Sequence, residues 1–214
     1  MSVGILGNKI GMTQIFDTQG EIIPVTIIKG GPCYVTQIKS YENCGYEAIQ
    51  LGYLEISAAK KKLTKPQLGH FHKSNLSPFR YLKEYRVFKD DKNQLLNYNL
   101  GQKISVDIFQ IGECVNITGF TIGKGNAGNI KRNNFQRGAM THGSKHHRMQ
   151  GSLGAGTSPG RVFPGKKMPG RLGMQKRTIQ GLQIIDINEK ENLLVIKGCI
   201  PGKSGNLVSI RRKE

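Results

Sequence analysis

Between Glu113 and Asp186 the chain has no Asp or Glu, yet it carries Lys124, Lys131, Arg132, Arg137, Lys145, Arg148, Arg161, Lys166, Lys167, Arg171, Lys176 and Arg177 there. These twelve cations supply two thirds of the +18 formal net charge of the 214-residue chain. Residues 124–178 are also rich in glycine and poor in large apolar side chains. Ordering about 55 residues costs roughly 1–2 kcal/mol each in backbone entropy. The large apolar candidates are Ile130, Phe135, Met140, Met149, Leu153, Val162, Phe163, Met168, Leu172 and Met174. Fully buried, each returns only about 1.5–3 kcal/mol. The deficit is severalfold and like charges add repulsion, so the stretch is either disordered or ordered by a polyanion. Disordered tails are rich in Ser, Glu and Gln. Here Phe, Met, Leu and His are spaced among the cations, which points to an arm shaped by its partner.

Outside that gap the other 20 Lys and Arg nearly balance the 14 Asp and Glu, as in an ordinary globular domain. The basicity is localised, which favours one specific polyanionic partner over a generally adhesive surface. A hydrophobic content of 37% allows a modest core, in one large domain or two small ones. No apolar run of about 18 residues occurs, so no membrane partner is expected. The start, MSVGILGNKIGMTQIF, lacks the charged and apolar regions of a signal peptide and is too glycine-broken for a transit peptide. The protein is expected to stay where it is made. Cys33, Cys44, Cys114 and Cys199 are scattered without a CxxC pair, and read as reduced, partly buried small residues.

The flanking regions read as strands. Val3 to Phe16 and Glu21 to Ile28 form a β-branched hairpin around Asp17-Thr-Gln-Gly20. Cys33 to Ile38, Tyr46 to Tyr53, Ile104 to Phe109, Cys114 to Ile122, Leu182 to Ile187, Asn192 to Lys197 and Leu207 to Ile210 continue the pattern. Short strands without intervening helical periodicity argue for a small barrel. Residues 54–100 change character: Ser57 to Leu63 and Lys65 to Leu76 suit short helices interrupted by Pro66 and Gly69. The expected fold is therefore mainly β: a small β-barrel body with a helical insertion and a long irregular basic extension. Residues 1–123 and 178–214 make the body, with the insertion at about 54–100, and 124–177 make the arm. The C-terminal Arg211 to Glu214 reads as a frayed end.

Several motifs invite sharper readings. Gly123, Gly125 and Gly128 match GxGxxG after a predicted strand, but no apolar-faced helix or ribose-binding acid follows. The glycines serve instead to bring backbone close to phosphates. Gly198-Cys-Ile-Pro-Gly202-Lys-Ser204 is one residue short of a P-loop and lies between strands, so it reads as a turn. His142, His146 and His147 have no Cys, Asp or Glu nearby as a further metal ligand. Stacking on bases or bonding to phosphate suits them better. His70 and His72, also without an acidic partner, read as surface or RNA-facing. The arm offers no carboxylate and no nucleophile in a triad-like setting, so no enzyme, catalytic residue, metal, cofactor or small-molecule substrate is expected.

The arm's chemistry suits folded RNA. Arg bridges phosphates and stacks on bases, Lys supplies point charge, and the interleaved Gly, Asn, Gln, Ser, Thr and His donate to phosphates and 2′-hydroxyls. The twelve cations with His142, His146 and His147 form the candidate RNA-binding set. If half of the cations meet phosphates, the log–log salt slope is about −4 to −5. A free nucleic-acid chaperone or DNA-compacting protein is the rival binding class; a nucleotide-dependent enzyme would rest on the two glycine motifs alone.

Met140-Thr-His-Gly-Ser-Lys-His-His-Arg148, Gly151-Ser-Leu-Gly154 and the run from Thr157-Ser-Pro-Gly-Arg161 to Gly170 resemble ribosomal protein three of the large subunit. So do Gly4-Ile-Leu-Gly-Asn-Lys-Ile-Gly-Met-Thr13, Thr64-Lys-Pro-Gln-Leu-Gly-His-Phe71 and Asn192 to Gly202, so the likeness spans essentially the full chain. The resemblance implies a β-barrel body seated near the 3′ end of the 23S-type rRNA, early nucleation of subunit assembly, and an extension threading toward the peptidyl-transferase centre, with its tip near Gln150 to Thr157. It also implies contacts with ribosomal proteins fourteen and nineteen of the large subunit. Some bacterial members carry a methylated Gln where this chain has Ala155, so no such methylation is expected. Arg137 to Lys145 and Gly154-Ala-Gly-Thr157 are most similar to cyanobacterial and plastid members. Abundant Ile, Lys and Asn suit an AT-rich organelle genome, so plastid stroma is expected ahead of bacterial cytoplasm.

Overall fold

The computed structural model describes residues 4–57, 62–86 and 98–213. It divides into two compact units, one made of residues 1–120 and 176–214, the other of Thr121–Gln175.

The first unit begins with a hairpin. Strands β1 (Ile5–Phe16) and β2 (Ile22–Gly30) pair antiparallel from Gly7↔Gly30 to Phe16↔Ile22. In its turn the Asp17 carbonyl accepts from the Gly20 N–H, and Gly20 takes φ +82, where a side chain would be strained. Pro24 lies just beyond the register in which β2 meets its other neighbour, so its missing N–H removes no ladder bond.

The chain then leaves for a second sheet. Strand β3 (Cys33–Lys39), the single-turn helix α1 (Tyr41–Cys44), β4 (Ala48–Glu55), helix α2 (Lys65–Lys73), β5 (Phe79–Arg86) and β6 (Lys103–Ile104) follow, with sheet order β5-β4-β3-β6. Two strands expected in the barrel, 33–38 and 46–53, thus belong to this sheet. The 54–100 segment is not only helical, because it contributes β5. Phe79 and Tyr85 bury one face of β5 while Arg80 and Arg86 stay exposed, an alternation that Leu82 and Lys83 blur in the sequence. Part of the expected first helix (58–61), like residues 87–97, lies outside the described residues. Pro66 does not break α2. It sits in the first turn, where its missing N–H has no partner to lose, and the Gln67 side chain accepts from the Thr64 N–H at 3.0 Å.

Strand β7 (Cys114–Phe120) returns to the barrel and is completed by β10 (Lys176–Asn188), β11 (Leu193–Lys197) and β12 (Leu207–Arg212). The six strands close in the order β1-β12-β7-β10-β11-β2. A register shift lies between Ile179 and Leu182, where Gly181 has φ +69 and its N–H donates to the Asn116 side chain; pairing with β7 resumes at Leu182 and Gln183, and β10 pairs with β11 from Ile184 onward. Ile5, Leu6, Ile28, Val115, Ile117, Ile184, Leu194, Ile196, Val208 and Ile210 fill the core, which continues into Val35, Ile49, Leu51 and Tyr85 of the second sheet. Tyr85 joins the two by donating its hydroxyl to the Ile5 carbonyl at 3.0 Å and sharing a hydrogen bond with Ser209 Oγ at 2.8 Å.

Two further expectations need correction in this unit. Arg211 and Arg212 are not frayed: they pair with Asn116 and Val115 in β12, Arg212 Nε lies 2.8 Å from Glu113 Oε1, and Arg212 also donates to the Ile108 carbonyl. Of the four free cysteines only Cys33 is buried; Cys44, Cys114 and Cys199 are exposed. Burial pushes the Cys33 thiol up to about 12.

Candidate nucleic-acid interface

The second unit is inserted between β7 and β10, neighbours in the barrel whose ends face each other at Phe120↔Lys176. It starts as a ladder: Thr121 N–H to Gln175 O at 3.0 Å, Lys124 N–H to Leu172 O at 2.9 Å and Leu172 N–H to Gly125 O at 2.9 Å. Strands β8 (Asn126–Ala127) and β9 (Gly170–Arg171) extend it. Gly173 is required here, with φ +75 and room for no Cβ, since one would lie 2.1 Å from the Ile122 carbonyl oxygen. Helix α3 (Asn129–Asn133) follows, stopped by Asn134 in the left-handed region at φ 57. Beyond it the Gly138 N–H reaches His147 O at 3.0 Å and His147 Nδ1 lies 2.8 Å from Ala139 O, closing a loop.

What this unit lacks is a core. Among the described residues of 121–175, only Ala127 and Asn129 are buried. Phe135, Met140, Met149, Leu153, Val162, Phe163 and Met174 are all exposed large apolar residues. The fold is drawn by backbone and polar links instead. Arg132 Nη1 donates to Met168 O at 2.7 Å, and Asn133 Nδ2 donates to the same oxygen at 3.3 Å.

Lys124, Lys131, Arg132, Arg137, Lys145, Arg148, Arg161, Lys166, Lys167 and Arg171 lie in this unit, all exposed. Lys176 and Arg177, also exposed, belong to β10 in the first unit. With no acidic residue in 121–175, none of the ten can be neutralised from within its own unit. Arg132 is partly engaged in holding the fold, and Arg161 lies over the Phe163 ring with 5.9 Å to the centroid. His142, at φ 57, and His146 are exposed on the loop rather than on a helix, and His147 is half-buried by its link to Ala139. No group of His, Cys, Asp and Glu able to hold a metal occurs among the described residues.

A cleft of about 580 Å³ opens within the unit, walled by Asn129, Phe135, Arg137, Met149, Gln150 and Lys166 among others. Asn129 Oδ1 accepts from Asn133 Nδ2 at 2.9 Å, but Asn129 Nδ2 and Gln150 Nε2 are buried without any partner. A buried donor left unpaired costs about 1–3 kcal/mol. Sequence reading missed both amides, because only the fold shows which of the many Asn and Gln are enclosed.

The remaining sequence motifs resolve structurally. The segment resembling GxGxxG forms the start of the ladder and the entry to α3, with Gly125 at φ +65. The P-loop-like segment is a turn between β11 and β12, held from inside by Lys9, which is 8% exposed and donates its Nζ to the carbonyls of Ile200 and Gly202, each at 3.1 Å. His70 turns to the second sheet, 2.8 Å from Gln50 Oε1, beside another cleft lined by Phe71, Phe79 and Arg80. The first unit has its own cationic spot: Lys83 Nζ and Arg211 Cζ lie 5.6 and 4.7 Å from the Tyr85 ring centroid. Burial first, then Arg211 and Lys176, lowers the Lys83 amine to about 8.

A barrel whose inserted unit is cationic, acid-free and coreless belongs among proteins built into larger assemblies, and comparison of sequences specifies the kind. Residues 94–192 match the family described as Ribosomal protein L3. The chain is 58% identical over 98% of its length to the large ribosomal subunit protein uL3c of Phaeodactylum tricornutum, covering 98% of that protein. It is 56% identical to uL3 of a Picosynechococcus strain, with 98% and 96% of the two chains covered, and 51% identical to uL3c of Guillardia theta, with 99% and 100% covered. The chain belongs to the ribosomal protein L3 family.

Proposed function

We propose that this protein is a structural constituent of the large ribosomal subunit of a plastid, that it binds the 23S-type rRNA, and that it does no chemistry of its own. The observation that carries the reading is the Thr121–Gln175 unit: ten exposed cations, no acid, and a fold with almost nothing buried. Such a unit gains its ordering free energy from outside, and phosphate is the complementary surface. Its exposed Arg, Lys and His side chains are the contacts, with Lys176 and Arg177 of β10 continuing the set.

The finer placement follows the family resemblance. The barrel sits near the 3′ end of the rRNA, where early binding nucleates assembly, and the inserted unit reaches toward the peptidyl-transferase centre. Ribosomal proteins fourteen and nineteen are its protein neighbours. The test is fractionation of plastid large subunits through high-salt washes, followed by RNA crosslinking at Arg148 and Arg161. A structural constituent stays with the particle and crosslinks to the large rRNA from both positions. A protein that washes off as readily as a free nucleic-acid chaperone contradicts the reading.

A further inference from the structure

The cleft in the second unit combines three features that ordinary phosphate binding does not use. Phe135 is an exposed aromatic at its wall, 38% accessible, with no core to enter. Asn129, 5% accessible, and Gln150 also line it, with enclosed amide nitrogens that have no acceptor in the protein. Arg137 and Lys166 line the same cleft, and the volume falls within the roughly 300–1,000 Å³ common to small-ligand sites. A phosphate alone would need the cations but neither the ring nor two neutral donors.

We infer that this cleft holds one unstacked RNA nucleotide. Phe135 supplies the face on which its base stacks. The amides of Asn129 and Gln150, after rotation toward the cleft, donate to the base's carbonyl or ring-nitrogen acceptors. Arg137 and Lys166 hold the adjoining phosphates. Single-stranded bases are recognised in this way, by stacking and edge bonding, while paired bases are inaccessible. The inference rests on the rRNA-binding reading above and narrows it to one unpaired residue held by base as well as backbone.

The test uses the full chain with transcribed 23S-type rRNA, reading base-edge reactivity nucleotide by nucleotide and affinity against salt. Bound wild-type protein is expected to shield one unpaired base from chemical modification. Phe135→Ala should abolish that shielding and weaken binding about 5- to 150-fold with the salt slope unchanged. Phe135→Trp should keep the shielding, and Gln150→Leu should weaken it. Lys166→Ala should instead reduce the salt slope by about 0.7–0.9. If Phe135→Ala and Gln150→Leu leave every base reactivity and the affinity unchanged while Lys166→Ala still flattens the slope, the nucleotide cleft is refuted and rRNA binding stands. If the wild-type chain binds this rRNA no better than an unrelated RNA, the underlying reading falls with it.

Discussion

The barrel unit and the inserted unit share one chain but hold their shapes by different means. In the barrel unit, alternate residues of six closed strands and of the second sheet meet in one apolar core, and even its buried lysine, Lys9, is spent on two loop carbonyls. In the inserted unit Ala127 is the only described apolar residue that is buried, and the links are ladders, capped turns and an arginine bonded to a carbonyl. Hydrophobic burial makes the first unit self-sufficient. The second is spelled out in backbone geometry yet has little to hold that geometry against its own charge. The difference teaches that a conformation and the source of its stability are separate properties.

Removing the insertion gives the largest expected effect. Because Phe120 and Lys176 are paired neighbours, replacing Thr121–Gln175 by a two-residue Asn-Gly turn should leave a folded barrel. If half of the ten cations meet phosphates, the deletion removes about 3.5–4.5 from the log–log salt slope. Filter binding to 23S-type rRNA between 50 and 200 mM salt reads this as a response of about 100- to 500-fold that disappears. A deletion that keeps the wild-type slope places the binding charge in the barrel unit.

Next come truncations on either side of the comparison. Ile196→Ala in β11 empties a fully buried position and should cost about 2–5 kcal/mol in denaturant unfolding. Met149→Ala, at a side chain 67% exposed, should stay within about 0.5 kcal/mol. Equal costs would mean that the inserted unit has a working core after all. Lys9→Met lies between: it leaves the carbonyls of Ile200 and Gly202 without their donor, for about 1–3 kcal/mol.

The smallest effect is one of pH. Lys83 is lowered to about 8 by burial and by Arg211 and Lys176 beside it. A base with a depressed folded pKa is a liability below that value, and the liability is relieved as pH rises toward the ordinary lysine range. Stability should therefore gain slightly from pH 8 to 10, and Lys83→Met should remove that gain; chemical denaturation across the pH series measures it. Unchanged slopes in the two proteins would mean that the amine is not crowded.

Much of this contrast is legible in residue order. The missing acids between Glu113 and Asp186 mark the insertion, and the alternation of Val115 and Ile117, or Leu194 and Ile196, marks barrel strands. Which strands share a sheet is less legible. Cys33–Lys39 and Ala48–Glu55 alternate like the others, and only long-range pairing sends them to the second sheet. Strand β5 is obscured because Lys83 occupies its inward row, and Pro66 resembles a helix breaker although it stands where a helix accepts proline. In the candidate interface the cations could be named from composition. The Asn129 and Gln150 amides could not, since enclosure by Phe135 and its neighbours arises only once the chain has folded.

Amide hydrogen exchange on the full-length chain, free and bound to the large rRNA, tests the division most directly. The account predicts slow exchange in the barrel strands in both states, and exchange across Thr121–Gln175 that is fast in the free protein and slow in the complex. Equally slow exchange of Thr121–Gln175 without RNA, persisting in high salt, would contradict it.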